Sequence, residues 1–218
     1  MAIIYCVPGI GADSGMFSRL VLPGHEIRHV KWLLPHKRER LGDYALRLAA
    51  AFDTSKPFVL IGVSFGGMIC AELARRLNPS AVFLVGSSKS RKELPFRFRF
   101  LKYFPVHRYL SDRAFIWSAV ISRRVFGYRG RADKEHFHRM LASAPHGYYS
   151  RAADCIINWD AEVSASGIIH IHGTRDLVLP VSGVKADYVI QGGTHNLLRD
   201  HAPQVCEIIL SELKKKGL

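Results

Sequence analysis

The sequence predicts an α/β fold, a three-layer sandwich with a mostly parallel sheet of about six strands and an inserted helical cap. Three observations predict it. Strand-forming runs near 3–7, 26–33, 57–63, 81–86, 168–172 and 187–190 alternate with helix-like runs near 14–20, 41–52, 66–77 and 202–216. A serine flanked by glycines, Gly62-Val63-Ser64-Phe65-Gly66, sits between one such strand run and the helix run after it. The stretch 88–160 breaks the alternation and is rich in helix signals. With 218 residues the chain is long enough for one domain with a substantial core.

The first run, Ile3-Ile4-Tyr5-Cys6-Val7, reads as a short buried strand. The glycine-rich turn Pro8-Gly9-Ile10-Gly11-Ala12 follows it and can aim a backbone N–H at a developing oxyanion. The run Pro57-Phe58-Val59-Leu60-Ile61 leads into the serine turn, and GMICAELARRL continues from it as a helix. Strand, sharp turn, serine, helix is a geometry that presents a hydroxyl to a substrate. Gly62 and Gly66 are expected where strand and helix pass too close for side chains. Ser64 is expected in a strained backbone conformation costing about 1–3 kcal/mol. A plainer role for the serine is to cap the following helix. The N–H of Phe65, at the helix N-terminus, is a second oxyanion donor.

Downstream, Ile168-Ile169-His170-Ile171 runs into His172-Gly173-Thr174-Arg175-Asp176, and Tyr188-Val189-Ile190 runs toward Gly192-Gly193-Thr194-His195. Asp176 and His195 thus fall in loops directly after strands, where functional groups of open α/β sheets gather. Asp154 and Asp160 are rival acids in the preceding segment. Asp200 reads as the N-cap of the last helix. Lys214-Lys215-Lys216 at that helix's end suits its dipole.

Within 88–160, Ser111 is expected to cap a helix running to about 126, with further helices over Ala132 to Ser143 and Gly147 to Trp159. Residues 89–140 hold 14 Lys+Arg against 4 Asp+Glu, so this segment carries most of the formal net charge of +13. Phe96, Phe98, Phe100 and Phe104 alternate with cations there. On a helix Phe96, Phe100 and Phe104 share a stripe; on a strand Phe96, Phe98 and Phe100 share a face.

At GVSFGG, HGTRD, GGTH and PGIGADSGMF the chain resembles the α/β-hydrolase family, over nearly its whole length. The resemblance implies a core over 1–87 and 161–218, with 88–160 as a cap over the site. It implies a triad of Ser64, Asp176 and His195, with the backbone N–H groups of Ile10 and Phe65 as the oxyanion hole. The oxyanion loop opens Pro8-Gly9 where many members have His-Gly, which leaves Ile10 and Gly11 both open as the upstream donor. The resemblance implies that two N-terminal edge strands of larger relatives are missing. The implied activity is serine hydrolysis of a carboxylic ester or thioester through an acyl-enzyme on Ser64. Ser64 argues against the dehalogenase branch, which places Asp at the elbow. A non-catalytic ligand-binding or receptor protein on the same fold is the alternative.

No cofactor is implied. The pairs His170/His172 and His136/His138 lack the cysteine or carboxylate cluster that would complete a metal site. The expected ligand is a small acyl ester or thioester. For the basic cap, the leading expectation has its aromatics packed down over the pocket and its cations solvated. Docking of an acidic partner such as an acyl-carrier protein comes second, and contact with an anionic membrane last. No nucleic-acid motif is present. Tyr148, Tyr149 and Trp159 are expected to pack the cap against the core, with one tyrosine able to face the pocket. No apolar stretch reaches the ~18 residues of a membrane span, and the N-terminal run reads as a strand, not a signal peptide. Cys6, Cys70, Cys155 and Cys206 form no C-x-x-C pair and read as buried hydrophobes of a reducing compartment. A cytoplasmic location is the expectation.

Overall fold

The computed structural model describes residues 2–162 and 165–218. Its strands are β1 (Ile3–Val7), β2 (Glu26–His29), β3 (Phe58–Val63), β4 (Ala81–Val85), β5 (Ile168–Gly173) and β6 (Tyr188–Ile190). They form one sheet in the order β2-β1-β3-β4-β5-β6, and every neighbouring pair is parallel. The register sets Val7 beside Gly62, Val63 beside Val85, and Gly173 beside Ile190. The carboxyl ends of these strands therefore line one rim.

Side chains alternate between the two faces of the sheet, as the period of a strand requires. Ile3, Tyr5 and Val7 enter one core with α1 (Leu41–Ala49) and α2 (Phe65–Ala74). Ile4 and Cys6 enter the other, with the short α7 (Leu197–Asp200) and α8 (Ala202–Lys215). On α8 the buried residues Ala202, Val205, Cys206, Ile209 and Leu213 form a single stripe. Each fully buried Leu or Ile contributes about 1.5–3 kcal/mol.

Between Gly86 and Gly167 no described residue is in a strand. This segment holds α3 (Phe96–Phe100), α4 (Asp112–Ile121), α5 (Arg131–Ala142) and α6 (Tyr148–Ile157). Ser111 caps α4 by accepting from the Ala114 N–H at 3.2 Å. Tyr148, Tyr149 and Trp159 are all buried in the first core. The Trp159 indole donates to Glu72 Oε1 at 2.7 Å, and Arg76, in the turn just after that helix, pairs with the other carboxylate oxygen. A buried acid on α2 thus ties down the chain just after α6.

Several boundaries differ from expectation. β2 ends at His29 because Trp32 turns inward, donating to Ala12 O at 2.8 Å and stacking on Phe65. Residues 14–20 yield only one 3-10 turn, Ser14–Phe17, capped by Asp13. α4 stops at Ile121, and a 3-10 turn (Arg123–Phe126) closes on Gly127 at φ 83°. Residues 96–100 resolve as helix, so Phe96, Phe100 and Phe104 do form a ring stripe. That stripe faces outward: Phe100 is 47% and Phe104 57% exposed, and only Phe98 reaches the core. The expectation that these aromatics cover the pocket is therefore corrected. Asp200 is not an N-cap; it ends α7, and its carboxylate accepts the Thr194 hydroxyl. No helix among the described residues is long and apolar enough to cross a membrane.

Candidate active site

Ser64 stands at the tip of the turn between β3 and α2 with φ 52° and ψ −120°. This is a left-handed conformation that a non-glycine residue adopts only when its surroundings enforce it. The enforcement is visible. The Ser64 N–H donates to Val85 O at 3.1 Å, and its carbonyl accepts the Gly67 N–H at 2.9 Å and the Ser87 hydroxyl at 2.6 Å. A Cβ at Gly66 would strike the carbonyls of Val7 and Pro8, and one at Gly62 would strike Gly66. The hydroxyl makes no capping bond to α2. It donates instead to His195 Nε2 at 2.9 Å.

His195 lies in the loop after β6. That loop packs directly on the one after β5: Arg175 N donates to Gly193 O at 2.8 Å, and a Cβ at Gly173 would collide with Gly193. The imidazole is buried, and the Phe126 ring meets it edge-on at 6.0 Å. Its Nδ1 lies 2.8 Å from Asp176 Oδ2. A carboxylate there makes Nδ1 the protonated nitrogen and leaves the Nε2 lone pair for the serine proton.

Asp176 is fully enclosed. Its Oδ1 accepts the N–H groups of Val178 and Leu179, both at 2.8 Å. His172 Nε2 lies 3.3 Å from Oδ2 while donating to Leu179 O at 2.7 Å. Burial alone would raise this carboxyl's pKa, but hydrogen bonds from His172 and His195 outweigh it and hold the group below the ordinary carboxylate range. Behind it, His172 Nδ1 accepts from His170 Nε2 at 3.1 Å. Burial, then the neighbouring His172 and Lys89, push the His170 pKa down to about 3, so that ring is neutral. No cluster of metal-binding side chains occurs among the described residues.

The rival acids lie elsewhere. Asp154 bonds His107 at 2.8 Å and Arg108 at 2.9 Å. Asp160 lies 3.9 Å from Arg40 at the surface. Ile10 and Phe65 flank Ser64, and neither N–H donates to a protein acceptor among the described residues.

Beside Ser64 and His195 opens a cavity of about 180 Å³. Its lining includes Gly9, Ile10 and Met16 from the loops after β1, and Phe115, Phe126 and Met140 from the helical stretch between β4 and β5. The lining is mostly apolar, with no Lys or Arg among the described residues. The tyrosine facing it is Tyr128, held by Asn196 Nδ2 at 3.3 Å, and not Tyr148 or Tyr149. Sequence reasoning missed Tyr128 and Asn196. Neither belongs to a motif, and they meet only through folding.

Residues 4–208 match the sequence profile of the Alpha/beta hydrolase family. None of the curated proteins matches the chain. Among solved structures, the chain is similar to a thermophilic esterase from Thermogutta terrifontis, with TM-score 0.74, 16% identity, and 100% of this chain and 91% of that one covered. An esterase from Exiguobacterium antarcticum gives TM-score 0.73 and 14% identity, covering 98% and 92%. The enol-lactonase from Burkholderia xenovorans LB400 gives 0.72 and 14%, covering 98% and 91%. With the profile spanning nearly its whole length, the chain belongs to the alpha/beta hydrolase family.

Proposed function

We propose that the protein is a serine hydrolase that cleaves esters of neutral, apolar acyl groups through an acyl-enzyme on Ser64. The observation that carries this reading is the unbroken chain Ser64 Oγ, His195, Asp176, with links of 2.9 and 2.8 Å. His195 takes the serine proton as Oγ attacks the acyl carbon, and Asp176 steadies the imidazolium that forms. The N–H groups of Phe65 and Ile10 receive the oxyanion, each worth about 2.7–4 kcal/mol by the measured effect of such donors. His195 returns its proton to the leaving alcohol or thiol, then activates water to release the acid. Residues 88–160 act as the cap that roofs the acyl pocket and excludes water. Thioesters enter by the same chemistry, and an acyl-carrier protein would present one outside the pocket.

The cavity supports a preference for short apolar acyl groups. At about 30 Å³ per water, its 180 Å³ corresponds to about six non-hydrogen atoms. Each methylene buried is worth about 0.8 kcal/mol. With p-nitrophenyl esters, kcat/KM should rise about three- to fourfold per methylene to about six carbons and fall for long chains. A parallel thioester series separates the two leaving groups. A flat chain-length profile, or best turnover of a charged acyl group, would contradict an apolar acyl pocket.

A further inference from the structure

We propose that residues 96–110 form a docking ridge for an anionic phospholipid surface. Seven of the fourteen exposed large apolar side chains among the described residues fall in this stretch. Tyr103 is 76% and Tyr109 88% exposed, and Phe100 stacks on Phe104 with centroids 4.8 Å apart. Contiguous apolar surface of this kind on a soluble domain marks an interaction site.

Charge decides what the ridge meets. Residues 88–111 contain seven Lys or Arg and one acid, Glu93. The Glu93 carboxylate is already engaged, accepting the N–H groups of Lys89 on its own loop and of Lys185 in the segment before β6. Arg108 is tied to Asp154 and Lys89 faces Asp187. Arg91, Lys92, Arg97 and Lys102 ion-pair with no carboxylate among the described residues. Aromatics that can enter the acyl boundary, interleaved with cations that meet headgroups, are what an anionic bilayer attracts. No described residue of 96–110 lines the active-site cavity or the grooves beside Trp117, Arg19, Trp32 and Arg139. A deformable lipid surface suits it better than a protein partner, which would need a pocket to anchor in.

The ridge joins the candidate active site. The Arg97 guanidinium donates to the carbonyls of Leu177 and Val178, in the loop that carries Asp176. Docking here would bring that rim of the sheet to the membrane, where apolar esters concentrate.

The test is co-sedimentation of the 218-residue chain with vesicles of phosphatidylcholine alone or mixed equally with phosphatidylglycerol. Two double variants accompany it, Phe100→Ser/Phe104→Ser and Lys92→Glu/Lys102→Glu. Binding to the anionic vesicles that falls with salt is expected. Each cation lost should weaken it about fivefold, and each phenylalanine lost about tenfold. Both variants should hydrolyse a soluble ester at the wild-type rate, which separates docking from folding and catalysis. Equal binding to both vesicle types, binding untouched by the variants, or none at all would overturn the proposal. So would self-association through the ridge, seen by light scattering and abolished by Phe100→Ser/Phe104→Ser. Salt-sensitive retention of an acyl-carrier protein without vesicle binding would overturn it as well.

Discussion

Replacing Ser64 by alanine should reduce kcat on a soluble ester by a factor on the order of 10⁶, the loss seen when the nucleophile of such a triad is removed. The fold should survive. The hydroxyl makes no helix-capping bond, and the contacts that hold the turn run through the residue 64 backbone to Val85, Gly67 and Ser87. Those contacts do not depend on the side chain, so the melting temperature should stay near wild type. Retained turnover in a folded Ser64→Ala protein would remove the nucleophile from the account.

Asp176→Asn should lower kcat by about 10⁴ with little change in shape. The reason is the direction of one proton. A carboxylate 2.8 Å from His195 Nδ1 requires the proton on that nitrogen. An amide turned to donate toward Nδ1 makes it an acceptor and moves the proton to Nε2, which then cannot take the serine proton. The substitution also has a signature in stability. The folded-state pKa of Asp176 is depressed by His172 and His195 against the effect of burial. Its stabilisation is therefore fully present above the ordinary carboxylate range and is lost as pH falls through that range toward the lower folded value. Melting temperature should fall on acidification in the wild type and fall less steeply in Asp176→Asn. Identical slopes, or a variant with wild-type kcat, would mean that another group supports the imidazole.

The strands and the loops that follow them were legible because their signals are local. Apolar runs end at glycines, and Ser64, Asp176 and His195 each come just past a run. The glycines at 62 and 66 mark a close approach that their neighbours alone announce. What could not be read depends on tertiary contact. Asp200 lies where an N-cap is plausible, yet the fold turns its carboxylate onto Thr194. His172 fits a strand-end motif, but its contact with Asp176 exists only because the chain doubles back at Leu179. The helical stripe through Phe96, Phe100 and Phe104 follows from spacing, whereas its outward direction depends on which side of α3 meets the core. Tyr128 reaches the pocket after α4 has stopped at Ile121 and the 3-10 turn that follows has closed on Gly127, a path that residue spacing does not reveal.

Mapping the adduct of a fluorophosphonate by mass spectrometry tests the central claim most directly. One covalent adduct per chain is expected, on the peptide that contains Ser64, forming far more slowly in His195→Ala. An active protein whose Ser64 peptide stays unmodified while turnover continues, or label on a different residue accompanied by loss of activity, would contradict it.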